Sequence, residues 1–127
     1  MYSAIVMDHF TSPRNIGRIE NPDGFARVKS EIHGDQIELY IRVMDGHVAE
    51  VRYLTFGCVA AIASSSVTSE LATGLSLDEA AAITREQVET ALGGLPEGKL
   101  ECSVLAPDAL RQAIEAYRQA PGNPSQR

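Results

Sequence analysis

A chain of 127 residues is long enough for one domain with a core of its own. Hydrophobic residues make up 44% and charged residues 22%, the ordinary balance of a globular protein. The net charge of −6, with no basic block, argues against a nucleic-acid partner, which needs clustered Lys and Arg against phosphate. No apolar run reaches the ~20 residues of a membrane span, and no basic region leads into an apolar core at the N-terminus. Neither a membrane nor a signal peptide is therefore expected. Two cysteines far apart then fit a reducing compartment, the cytoplasm, in which a structural disulfide is not expected.

Met1 to Phe10 reads as a short helix, broken by Thr11-Ser12-Pro13-Arg14-Asn15-Ile16-Gly17. Gly24 to Ile32 reads as a strand and His33-Gly34-Asp35 as a turn. Ile37, Leu39, Ile41 and Val43 alternate with Glu38, Tyr40 and Arg42, the period-two signature of a strand. Met44-Asp45-Gly46-His47 carries a hairpin signal, and Val48 to Phe56 returns as a third strand. After Cys58 the period becomes helical: Ala60, Ala63, Val67 and Leu71 fall on one face, and Gly74 ends the helix. Ser76…Glu79 and Thr84…Gln87 are capping boxes that open two short helices. Gly93 to Gly98 is a loop. Leu110, Ala113, Ile114 and Tyr117 mark an amphipathic last helix, with Pro107 in its first turn. Residues 120–127 read as a flexible tail behind a domain of residues 1–119. A sheet followed by helices predicts an α+β fold, a three-stranded antiparallel sheet with helices packed on one face.

Cys58 and Cys102 each precede a helical run. The first N–H groups of a helix lack internal partners, so a thiol beside them is expected to ionise readily, and the thiolate is the form that binds metal or attacks sulfur. The bland alternative is a pair of buried small residues. His33 and Asp35 also sit at an element end. Spacing alone does not say whether these three places meet.

Four separated segments carry a resemblance. They are Asp8-His9-Phe10 with Pro13-Arg14-Asn15-Ile16-Gly17; Gly34-Asp35; Phe56-Gly57-Cys58 with Ala61-Ile62-Ala63-Ser64-Ser65-Ser66; and Cys102-Ser103-Val104-Leu105-Ala106 with Asp108-Ala109. In this order they resemble the U-type iron–sulfur cluster assembly scaffolds, IscU and the N-terminal domain of NifU, over about Met1 to Tyr117. The resemblance implies a scaffold or carrier, not an enzyme, that assembles a 2Fe-2S cluster with sulfur from a cysteine desulfurase. It would pass the cluster to apo iron–sulfur acceptor proteins. It implies that the loop ends converge, that His33, Asp35, Cys58 and Cys102 hold the metal, that Cys102 accepts the sulfur, and that Asp35 keeps the site exchangeable.

Two positions depart from the family pattern. His33 stands where a first cysteine is expected, and Glu101 where a histidine is expected before the last cysteine. The loop Leu95-Pro96-Glu97-Gly98-Lys99 keeps only Leu, Pro and Lys of the family's chaperone-binding segment. Imidazole can replace thiolate at an iron–sulfur cluster. Two thiolates, an imidazole and a carboxylate also suit Fe2+ or Zn2+, which leaves a second reading: a divergent member holding Zn2+ or iron as a structural or regulatory module. A third, an enzyme with Cys102 as nucleophile and His33 as its base, has no oxyanion signature behind it. Beside these stand the plainer roles: Glu101 a solvated charge, Ser64 to Ser66 packing or capping groups, His9 an interface or capping residue, and His47 exposed beside its turn.

Overall fold

The computed structural model describes residues 1–31 and 34–120. In chain order the elements are α1 (Ala4–Thr11), β1 (Gly24–Lys29), β2 (Gln36–Met44), β3 (His47–Phe56), α2 (Val59–Ala72), α3 (Leu77–Ala81), α4 (Arg85–Ala91), a 3-10 turn (Leu100–Ser103) and α5 (Leu105–Gln119). The sheet is antiparallel with order β1-β2-β3, as the sequence predicts. The expected strand through Ile32 ends at Lys29, and both Ile32 and the expected tail beyond Ala120 lie outside the described residues. Among the described residues no helix is long and apolar enough to cross a membrane.

Register explains why one face is buried. Ala26 pairs with Leu39, Val28 with Ile37, Leu39 with Tyr53 and Ile41 with Val51, so successive inward residues meet across the strands. Helix α5 covers β1 and β2, and α2 covers β3. The other face carries Arg27 paired with Glu38 at 2.7 Å and the Phe25 ring 5.0 Å from Tyr40. Asp45 and Gly46 both have positive φ (53° and 75°), the two-residue turn that matches strand twist.

Both capping boxes form. Ser76 Oγ accepts from the Glu79 N–H and Thr84 Oγ1 from the Gln87 N–H, and each partner side chain accepts from the cap's own N–H. Pro107 lies in the first turn of α5, where its missing N–H breaks no intrahelical bond.

Helix α2 departs from the one-faced reading. Ala60, Ala63 and Val67 are buried as expected, yet Ser64, Ser65, Ser66, Thr68 and Ser69 are buried too. Helix α1 and the segment after it cover the side that periodicity leaves to solvent. Tyr53 N–H donates to the Asn15 carbonyl (3.2 Å) and Gly17 N–H to the Tyr53 carbonyl (3.0 Å), so this segment runs along the edge of β3. Its polar atoms meet the serines: the Arg14 N–H donates to Ser66 Oγ (2.9 Å), and Asn15 Nδ2 to Ser69 Oγ (3.0 Å).

His9 belongs to the same contact, an interface residue as expected. It is buried on α1, with Nδ1 2.7 Å from Ser66 Oγ. Ser66 Oγ thus bridges the Arg14 N–H and the His9 ring. Burial pushes the His9 pKa below its ordinary 6.5; Arg14 lowers it further, and Glu70 and Asp8 oppose this. A depressed folded pKa fixes the sign. Above about pH 6.5 the ring is neutral in both states, whereas below it the unfolded chain takes up a proton that the folded chain refuses. Stability is therefore expected to fall as pH drops from 6.5 through the lowered folded value and then to level off. Thermal unfolding between about pH 7.5 and about pH 5.5 reads this. His9→Gln should flatten the profile, and equal slopes in variant and parent would refute the assignment.

Candidate metal centre

Three chain segments bring their ends together at one corner of the sheet. The turn between β1 and β2 closes where Ser30 N–H donates to the Asp35 carbonyl (2.7 Å) and Gly34 N–H to the Ser30 carbonyl (2.9 Å). Gly34 has φ +72°, which favours glycine there. Asp35 is thereby set at the end of β2, facing the start of α2. Cys58 is the N-cap of α2, and its side chain makes no capping bond, which leaves the sulfur available. The third segment is the 3-10 turn before α5. Buried Ser103 pins it, donating to the Leu100 carbonyl (2.6 Å) and reaching Glu89 Oε1 on α4 (3.0 Å). Cys102 then faces inward against Ala60 and Ala61, with Tyr2 and Leu95 at the margin.

The result is one cluster of donors. Sγ of Cys58 and Sγ of Cys102 are 3.3 Å apart, and Cys58 Sγ is 3.8 Å from Asp35 Oδ2. One ligand atom from each of the three residues lies within 4.8 Å of the other two. Asp35 and Cys102 are each only 3% exposed, and Cys58 is half-buried. Two soft sulfurs and one carboxylate oxygen suit Zn2+ or iron, and these three donors among the described residues account for three positions of a four-coordinate ion. The predicted His33 lies outside the described residues, two positions before Asp35. Glu101 is exposed and lines a cavity of about 230 Å³ together with Asp35, Cys102 and Lys29.

The electrostatics correct one expectation. Cys102 is not the cap of α5; it lies inside the 3-10 turn, two residues before the Val104 cap. Burial pushes its thiol up to about 12, and the neighbouring Cys58 and the Asp35 carboxylate add to the shift. Concentrating negative charge among buried groups is costly without a cation. A divalent ion relieves that cost by displacing thiol protons, so metal binding and proton release are coupled here.

Ser65 and Ser66 act as the packing groups expected of them: Ser65 donates to the Ala61 carbonyl (2.8 Å) and Ser66 joins the His9 contact. His47 is exposed and donates through Nδ1 to the Asp45 carbonyl. Gly57 carries a role that its sequence context does not signal, since the group that needs its small size is Asp35.

The sequence model of the NifU-like N terminal domain matches residues 1–123. The chain belongs to this NifU-like family. It is 50% identical over 117 residues to iron-sulfur cluster assembly scaffold protein IscU 1 of Archaeoglobus fulgidus, across 92% of this chain and 76% of that one. It is 43% identical over 121 residues to iron-sulfur cluster assembly scaffold protein IscU of Escherichia coli, across 92% of this chain and 94% of that one. In fold, this NifU-like chain resembles the crystal structure of a nitrogen-fixing NifU-like protein (N-terminal) from Brucella abortus. The TM-score is 0.75 at 23% identity, with 93% of this chain and 95% of that one covered.

Proposed function

We propose that the protein is a scaffold and carrier for a 2Fe-2S cluster, which it assembles from iron and from sulfur supplied by a cysteine desulfurase, and hands to apo iron–sulfur acceptor proteins. The observation that carries this reading is the convergence of Asp35, Cys58 and Cys102, with one ligand atom of each within 4.8 Å of the others. The names of the relatives, iron-sulfur cluster assembly scaffold proteins, support it without specifying the cluster type. It binds and transfers and is no enzyme in this reading. Its place is the cytoplasm, and residues 1–119 form the working domain ahead of a tail at 120–127.

Cys102 is the proposed sulfur acceptor. Its thiolate attacks the outer sulfur of the desulfurase persulfide, a new S–S bond forms on Cys102, and the old S–S bond breaks to leave the desulfurase cysteine as thiolate. Burial raises the Cys102 thiol pKa, so its proton passes to solvent before the attack, and the cavity that Cys102 lines with Asp35 and Glu101 is the approach for the persulfide. Cys58, half-buried at the start of α2, is the companion ligand. Asp35 supplies a hard oxygen beside two soft sulfurs, a weaker hold on iron–sulfur units than a third thiolate would give. His33 is the proposed fourth ligand, and the Leu95-to-Lys99 loop is a reduced chaperone contact.

Anaerobic reconstitution with Fe2+, cysteine and a cysteine desulfurase tests this. The expected product is coloured protein with near-equal iron and sulfide per chain. Colourless protein that keeps Zn2+ would replace this reading with that of a Zn2+-holding module, which the same donor set also suits. His33→Cys is expected to raise cluster yield and lifetime, because thiolate replaces imidazole. No gain in either would remove His33 from the site.

A further inference from the structure

Gly57 lies between β3 and the Cys58 cap, exposed, and its φ is not in the left-handed region. Its φ therefore does not by itself require glycine. What excludes a side chain is Asp35. A Cβ at Gly57 would collide with Asp35 Oδ1, approach Cγ to 2.7 Å and Cβ to 3.0 Å, and these are the three atoms nearest to it. The carboxylate thus occupies the space that a side chain at position 57 would fill. There Oδ1 lies 3.3 Å from the Cys58 N–H, one of the free donors at the start of α2, while Oδ2 faces Cys58 Sγ at 3.8 Å.

We infer that Gly57 is a positioning residue for the metal centre: its missing side chain lets the Asp35 carboxylate lie on the α2 N-terminus, with one oxygen held by the Cys58 N–H and the other turned to the sulfurs. This rests on the reading of Asp35, Cys58 and Cys102 as ligands. It gives the two oxygens separate tasks. The oxygen on the peptide N–H fixes the plane of the carboxylate, and the second oxygen meets the ion already oriented. Residues that orient ligands in this way are typically worth about 10- to 100-fold in metal affinity.

The test is a double-mutant cycle of Gly57→Ala and Asp35→Ala, read by Zn2+ affinity in chelator competition and by thermal unfolding of the metal-free protein. Gly57→Ala should weaken Zn2+ binding about 10- to 100-fold, less than Asp35→Ala does, and add little in the Asp35→Ala background. In metal-free protein Gly57→Ala should lower the unfolding midpoint, and Asp35→Ala should rescue much of that loss, because the severe contacts are with the carboxylate. If Gly57→Ala alone fails to fold, folding of the double variant supports the inference and failure of both overturns it. Unchanged Zn2+ affinity in Gly57→Ala overturns it, as do losses that simply add. A parent protein that binds no Zn2+ overturns the ligand reading instead, and the metal-free cycle still decides the Gly57–Asp35 contact.

Discussion

Cys102→Ala protein should load no cluster and accept no sulfur, whereas Cys58→Ala protein should load no cluster yet still accept sulfur from the desulfurase. Each substitution removes one of the two sulfurs that stand 3.3 Å apart, leaving one thiol and one carboxylate. Losing a ligand should cost more than the roughly 10- to 100-fold that an orienting neighbour contributes. Both variants should stay folded. Cys58 is half-buried, and Cys102 gives up one small side chain against Ala60 and Ala61, about 1 kcal/mol of apolar burial. Loss of binding then reports the ligand and not the fold. Cluster absorbance measures the first function, and the mass gain of one sulfur after incubation with loaded desulfurase measures the second. Sulfur found on Cys102→Ala protein but absent from Cys58→Ala protein would move the acceptor role to Cys58, the more open thiol.

Gly24→Ala should be among the most destabilising single-methyl changes. A Cβ there would collide with the Ala113 carbonyl oxygen of α5 and come within 2.9 Å of Ile41 Cγ1 on β2. Ile41 is fully buried, and the carbonyl belongs to helix backbone, so neither can give locally. The strand and helix must part instead. Overpacking of this kind costs about 3 kcal/mol at the upper end of its usual range. For a domain of this size that is roughly a 10 °C fall in midpoint. The damage should also reach the metal centre, because α5 begins directly after the turn that holds Cys102. Calorimetry and Zn2+ titration should move together in this variant. A midpoint within about 2 °C of the parent would mean that β1 and α5 have slack the packing does not suggest.

Much of the fold is legible because its signals are local. Asp45-Gly46 specifies its turn through positive φ, and Ser76 with Glu79 specifies a helix start through reciprocal bonds within one turn. The alternation from Ile37 to Val43 gives the buried face of β2 directly. Helix α2 is harder. Alanine and serine give almost no contrast along its length, and its serines are buried by His9, Arg14 and Asn15, whose approach no window around position 66 contains. The cysteines divide in the same way. Both precede a helix, but a capping position and an inward 3-10 turn look alike in local sequence, and only the folded chain, which buries Cys102 and leaves Cys58 half-buried, separates them. The meeting of Asp35, Cys58 and Cys102 was legible only through the resemblance of whole segments, since each comes from a different element. Gly57 was legible only as a member of the Phe56-Gly57-Cys58 segment, because its constraint is the carboxylate of Asp35 across the β2–β3 hairpin.

The three donors are far apart along the chain: 23 residues separate Asp35 from Cys58 and 44 separate Cys58 from Cys102. An ion held by all three closes two loops at once, in the manner of a removable cross-link. Filling the site at a thousand times its dissociation constant adds about 4 kcal/mol to stability, a large part of the margin of an ordinary domain. Whatever removes the cargo therefore also removes the clasp between sheet, α2 and the 3-10 turn. In the proposed function, delivery leaves behind a looser carrier, and an acceptor that binds the loose form better than the closed one would draw the cargo out by that preference alone.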